Sequence, residues 1–205
     1  IMKQKERTKR TKERILEAAL KEFGEKGYAG ATIGEICEKY NISKGLLYHN
    51  FDSKATLYLA CVSRCFDEVT AYLTAQTTDA DLKQYMKCRV RYFLDHPLDA
   101  RIFFEAVLQP PSGLEQEIKI RKKDFDLFNQ QIYHKAISKL PLRDGITETI
   151  ALEYYSIMQE MFNGYFNSQA YAGKDFSAKI AAHEEKLAQI LDIMLYGLAK
   201  KENIL

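Results

Sequence analysis

The chain has 205 residues, 46% hydrophobic and 28% charged, with a formal net charge of +2. These values fit an ordinary globular protein, and no apolar run approaches the roughly 18 residues needed to cross a bilayer. The charged start lacks the apolar core of a signal peptide, so the four cysteines read as reduced thiols of a cytoplasmic protein.

Helical periodicity covers nearly the whole chain, and no stretch alternates long enough for a sheet. A first helix carries Ile15, Ala18, Ala19 and Phe23 and stops near Gly27. Thr32 and Glu35 form a capping box for a second, whose apolar face is Ile33, Ile36, Cys37 and Tyr40. Asn41 suits the turn that follows. Ser43 caps a third helix, expected to bury Leu46 and Leu47 and to leave Lys44, Gly45, Tyr48 and His49 outside. Asp52 and Ser53 announce a fourth, with apolar positions Tyr58, Val62, Cys65, Phe66, Val69 and Leu73.

Five more helices follow. They are expected at about Asp79–Asp95, Leu98–Leu108, from a Ser112/Glu115 capping box to about Leu140, Thr147–Tyr171 and Asp175–Lys200. The carboxylates of the first and seventh read as solvated faces. The last two are apolar on more than one side: Ile150, Tyr154, Ile157, Met158, Met161, Phe162, Tyr165 and Phe166 on one, and Leu187, Ile190, Leu191, Ile193, Met194, Leu195 and Leu198 on the other. A helix apolar on two sides must bury both. A two-fold bundle of these helices from two subunits would do so, and so would a central position in a monomer.

Charge is unevenly distributed. Residues 1–54 hold 12 Lys and Arg against 8 Asp and Glu, and the remainder 18 against 20. A basic start before a nearly neutral body suits a polyanion. The turn between the second and third helices makes a helix-turn-helix, which sets its second helix in the DNA major groove. Lys44 can donate to guanine or phosphate, Gly45 lets the backbone approach closely, and Tyr48 and His49 can reach phosphates or thymine methyls. Thr32 and Lys54 stand at helix starts, where free amides and the dipole favour phosphate. For Tyr28 and Ser43, packing or capping is an equal explanation.

The pattern Ala19, Phe23, Gly27, Tyr28, then Thr32, then Ser43, Lys44, Gly45, Tyr48, Phe51 and Lys54 resembles the DNA-binding module of the TetR family of bacterial transcriptional regulators. The resemblance spans about residues 8 to 60. It implies an all-α fold of about nine helices, with a helix-turn-helix DNA-binding domain over 1–52 and a ligand-binding and dimerisation domain over 53–205. It further implies a homodimer joined through the last two helices, a pseudo-palindromic double-stranded operator, and a small-molecule inducer that shifts the fourth helix. By resemblance, Thr32, Lys44, Tyr48, His49 and Lys54 occupy the usual contact positions.

Aromatics crowd the C-terminal part, and Phe66, Phe93, Phe104, Phe125, Tyr155 and Phe162 are candidate lining for an apolar or aromatic ligand; plain core is the alternative. Arg89 and Arg121 each interrupt an apolar stripe. A buried Arg needs a protein carboxylate or a ligand acceptor, unless its stem snorkels. Cys61, Cys65 and Cys88 could sense redox state or be small buried hydrophobes. No catalytic signature, cofactor motif or metal spacing is visible, so no enzyme is expected. An inducer-independent activator or chromosome-organising protein is the other function the sequence admits.

Overall fold

A computed structural model describes residues 2–77 and 82–198. Among the described residues, ten α-helices follow one another: α1 (Met2–Gly30), α2 (Ile33–Lys39), α3 (Lys44–Asn50), α4 (Lys54–Gln76), α5 (Leu82–Asp95), α6 (Pro97–Leu108), α7 (Glu115–Arg121), α8 (Lys123–Ile137), α9 (Glu148–Phe166) and α10 (Phe176–Leu198). No strand occurs among the described residues. The fold is all-α. The start expected at Asp79 and the end at Lys200 lie outside the described residues.

Contacts gather the chain into two compact units, residues 1–67 with 96–122, and 68–95 with 123–205. The functional boundary expected at 52/53 is a different division from this one. In the first unit, Ile15, Ala19 and Phe23 of α1, Ile36 of α2, Leu47 of α3, Leu57, Tyr58 and Val62 of α4, and Ile102 and Phe104 of α6 are fully buried. Helices α1 and α6 lie close: a Cβ on Gly24 would come within 2.6 Å of Leu98 Cβ. Gly27, at φ 72 and ψ 176, breaks α1, a backbone state that L side chains rarely adopt.

In the second unit, α5, α8, α9 and α10 enclose Tyr85, Phe93, Phe125, Ile132, Tyr133, Ala151, Tyr155, Phe162, Phe166 and Leu191. Buried ionised groups sit among them. The Arg89 guanidinium donates to both oxygens of Glu184, at 2.7 and 3.0 Å, and the His183 ring lies 3.0 Å from the same carboxylate. Burial opposes charge on Glu184, but Arg89 and His183 beside it hold its pKa below the ordinary value. Burial also holds His183 below its ordinary value.

Several local expectations change. The helix expected to run unbroken to Leu140 divides at Lys122 into α7 and α8. The Ser112/Glu115 capping box does not form; Leu114 is the N-cap, and the Glu115 carboxylate instead accepts from Gly113 N at 2.9 Å. The helix from Thr147 ends at Phe166, and a single 3-10 turn (Gln169–Tyr171) follows. Thr147 caps α9 as its residue type predicts. On α9, Ala151, Tyr155, Phe162 and Phe166 face inward, whereas Ile150, Tyr154, Ile157, Met161 and Tyr165 are exposed. Both apolar sides read in the sequence are therefore real, and one is uncovered in the single chain.

Candidate nucleic-acid interface

The site starts from caps. Thr32 Oγ1 accepts from Glu35 N at 3.2 Å, and the Glu35 carboxylate accepts from Thr32 N at 3.1 Å, closing the capping box at α2. Asn41 turns the chain at φ 51, and Ile42 N reaches back to Cys37 O at 2.9 Å. Ser43 Oγ then caps α3 by accepting from Leu46 N at 3.2 Å. Ile36 and Leu47 bury the inner faces of the two helices.

The outer face of α3 is left clear. Lys44, Gly45, Tyr48 and His49 are all exposed, Tyr48 by 49%. Leu46 is exposed as well, at 38%, and not buried as its pairing with Leu47 suggested. This seven-residue helix turns only Leu47 to the core, because adjacent positions point 100° apart. A Cβ on Gly45 would meet nothing within 4 Å, so no intramolecular contact requires glycine there.

The flanks hold cations in defined places. Lys54 Nζ stands 4.5 Å over the Tyr28 ring, and Tyr28 itself packs on Tyr58 with centroids 4.8 Å apart. Thr32 is exposed, with its hydroxyl engaged by Glu35. Ser53 Oγ accepts from Thr56 N at 3.1 Å, which caps α4 beside Lys54. Residues 6–10 of α1, including Arg7, Lys9 and Arg10, are helical and exposed. Thr32, Ser43, Lys44, Gly45, Tyr48, His49 and Lys54 thus all belong to the first unit, on α3 or at the starts of α2, α3 and α4.

Three supports went unseen in the sequence. Arg14 donates to Tyr40 O and Asn41 O, at 3.1 and 2.9 Å, and so pins the turn to α1. The Glu22 side chain, read as solvated, is fully buried between Lys26 and Lys39, and those hydrogen bonds lower its pKa although burial opposes the charge. Glu105 of α6 accepts from Tyr28 N and from Tyr58 Oη. The i,i+4 spacing of Glu22 and Lys26 could have signalled the second. The others join residues far apart in the chain.

The helix-turn-helix lies inside a longer match. The family model described as bacterial regulatory proteins, tetR family, covers residues 15–61. The chain is 45% identical over 56 residues to the "Biofilm operon icaADBC HTH-type negative transcriptional regulator IcaR" of Staphylococcus aureus strain Newman. That stretch is 27% of this chain and 30% of the relative, so the match spans about a third of the relative's length. Two solved TetR-family regulators align over nearly the whole chain. One is from Rhodococcus RHA1, with a TM-score of 0.58, 18% identity and 94% and 98% of the two chains covered. The other is from Chloroflexus aurantiacus, with a TM-score of 0.55, 18% identity and 94% and 95% covered. At these identities the likeness bears on fold alone.

Residues 15–61 are therefore TetR-like in sequence, and the described fold as a whole is TetR-like. The family match covers α2, α3 and the start of α4, so the TetR helix-turn-helix contains every proposed DNA-facing residue.

The positions considered for a TetR effector are divided. Arg89, Phe93, Phe125, Tyr155 and Phe162 belong to the second unit, and Phe66, Phe104 and Arg121 to the first. Arg89 lies over Phe93 and Phe125, at 5.2 and 5.6 Å. Tyr155 stacks on Tyr133 at 4.2 Å, and Phe162 packs on Phe166 and His183. Phe66 and Phe104 both pack on Phe103. Arg121 is only partly buried, and pairs with Glu117 one turn earlier on α7. Its stripe ends where α7 breaks, so it is not an arginine inside a continuous apolar face. Cys37, Cys61, Cys65 and Cys88 are buried, and burial raises the pKa of the Cys61 thiol.

Proposed function

We propose that the protein is a homodimeric transcriptional repressor that binds a pseudo-palindromic operator and is released by a small apolar or aromatic ligand. The observation that carries the DNA part is the clear outer face of α3, where Lys44, Gly45, Tyr48 and His49 are exposed beside the capped starts of α2 and α4. In this reading Lys44 to His49 contact base edges and nearby phosphates, and Thr32 and Lys54 hold the backbone on either side. The relative's description as a negative regulator supports repression. The uncovered stripe on α9 (Ile150, Tyr154, Ile157, Met161, Tyr165), with Ile193 and Tyr196 exposed on α10, supports pairing with a second copy.

The ligand part rests on family resemblance and on the aromatic lining of the second unit. A second reading, an inducer-independent regulator, is favoured by one observation: Glu184 already supplies the carboxylate that buried Arg89 needs.

Footprinting on the promoter regions around the gene tests the proposal. The expected result is protection of two half-sites related by a two-fold and about one helical turn or more apart. Tyr48→Ala and His49→Ala should each abolish most of it without changing the dimer in sedimentation equilibrium. Protection that survives both substitutions removes α3 as the reading helix. A dimer that survives Ile157→Glu with Met161→Glu removes α9 as the interface.

A further inference from the structure

The second unit contains a groove of about 940 Å³ that neither the buried ionic cluster nor the α9 stripe uses. One wall is α5, where every fourth residue is apolar: Leu82, Met86, Val90 and Leu94. The next position along in each case is charged, giving Lys83, Lys87, Arg91 and Asp95. Residues four apart lie one above another on a helix, so an apolar row and a mainly cationic row run side by side. Ala188, Leu191, Leu195 and Tyr196 of α10, with Ala136 of α8 and Leu140 just beyond it, complete the apolar lining. Lys139 adds a fourth cation, against Asp95 and Asp192 as the acids of the lining, which leaves it net positive by two.

We propose that this groove binds a single-chain amphiphile with an anionic head, of the class of long-chain carboxylates and alkyl sulfates or phosphates. The chain lies against Met86, Val90, Leu191 and Leu195, and the head against Lys87 and Arg91. This deepens, and rests on, the reading of the C-terminal part as a ligand sensor. The volume stands at the upper end of small-molecule sites, roughly 300–1,000 Å³, which leaves room for a long chain. Arg91 pairs with Asp95 at 3.6 Å, with both side chains mostly exposed. Such a pair contributes little, so an anionic head can compete for it. A second copy fits less well. In a two-fold contact through the groove the Lys83–Lys87–Arg91 row would meet itself, and of the exposed apolar residues assigned above to pairing, Tyr196 alone lines this groove, at its edge, with none from α9.

The test is a fluorescence titration of the full chain, without DNA, with cis-parinarate as the anionic probe below its micelle concentration. Saturable binding with one probe per chain is expected. Palmitate should displace the probe, and hexadecanol and hexadecyltrimethylammonium should do so at least tenfold less well. The Lys87→Glu, Arg91→Glu double variant, altered at two exposed positions, should keep its unfolding midpoint and bind at least tenfold more weakly. Equal displacement by hexadecanol, or an unchanged affinity in the double variant, overturns the proposal. So does binding seen only with anionic vesicles, or a dimer that dissociates in the double variant. Operator release by palmitate is measured separately by anisotropy. Probe binding without release keeps the groove as a site and removes the ligand-released repressor; release by another ligand with no probe binding does the reverse.

Discussion

The Glu105 carboxylate takes the backbone amide of Tyr28, 77 residues earlier, with both oxygens 3.0 Å from the nitrogen. It also accepts from the Tyr58 hydroxyl at 2.9 Å. The break at Gly27 leaves the next amide in need of an acceptor, and α6 supplies it. A side chain at Gly27 would place its Cβ 2.8 Å from Glu105 Oε1. Glu105→Ala removes a charged acceptor from two donors and should lower stability by about 2–3 kcal/mol in urea unfolding. Glu105→Gln and Tyr58→Phe should be non-additive by about 1 kcal/mol in a double-mutant cycle. Additive losses would mean that the two groups do not interact.

Lys54 is held over Tyr28, so its ammonium is positioned before any phosphate arrives. Lys54→Ala should weaken binding to all sequences alike and reduce the slope of log affinity against log salt by roughly one. An unchanged slope takes Lys54 off the list of phosphate contacts.

Gly45 separates folding from binding. With open space around its Cβ position, Gly45→Ala should raise stability by about 0.5–1 kcal/mol through helix propensity. The same methyl should weaken operator binding if α3 lies close against DNA. A thermal melt and a gel shift on one sample check both, and unchanged affinity would mean that the backbone there stays clear of the duplex.

Breaking the pair between Arg89 and Glu184 should be costly. Either Arg89→Met or Glu184→Leu alone strands a buried charge, with an expected loss of about 3–5 kcal/mol. The double substitution should recover most of it, as measured by the urea midpoint. A double variant as unstable as the sum of the singles would show that the ions do more than neutralise each other.

His183 lies between Glu184 and Asn163, with its ring against Phe162 and Phe166. Its pKa is lowered by burial despite the carboxylate. The unfolded chain therefore takes up a proton first as pH falls below about 6.5, and the folded state loses stability by at most about 1.4 kcal/mol per pH unit for this one group. Glu184, also lowered, adds a loss in the same direction at lower pH. Urea unfolding of His183→Gln should show a flatter dependence between about pH 6.5 and 5 than the parent chain. An unaltered profile would assign the acid sensitivity elsewhere.

Local patterns were legible where the chemistry is local. The Thr32/Glu35 box, the Asn41 turn, the Ser43 cap and the break at Gly27 depend on residues within a few positions, and each is present. The same logic misplaced Ser112, because Leu114 takes the cap and Glu115 turns to Gly113. It also misjudged Leu46, since a seven-residue helix has a narrower buried side than its apolar letters suggest. Nothing near Arg89 in sequence points to Glu184, 95 residues away, and an arginine in an apolar stripe fits a ligand or an ion pair equally well. Helix α9 shows the converse. Its two apolar sides were readable because surplus hydrophobicity needs no knowledge of a partner.

The first unit is discontinuous: α6 and α7 belong to it, although residues 68–95 intervene. On the ribosome, α2 and α3 emerge early, yet the carboxylate that receives Tyr28 is not made until residue 105. Strict domain-by-domain maturation is therefore closed to this chain. Nascent chains stalled at residue 77 should be protease-sensitive throughout α1. Chains stalled long enough after residue 122 for it to clear the exit tunnel should protect α1, at a point when the second unit is still incomplete.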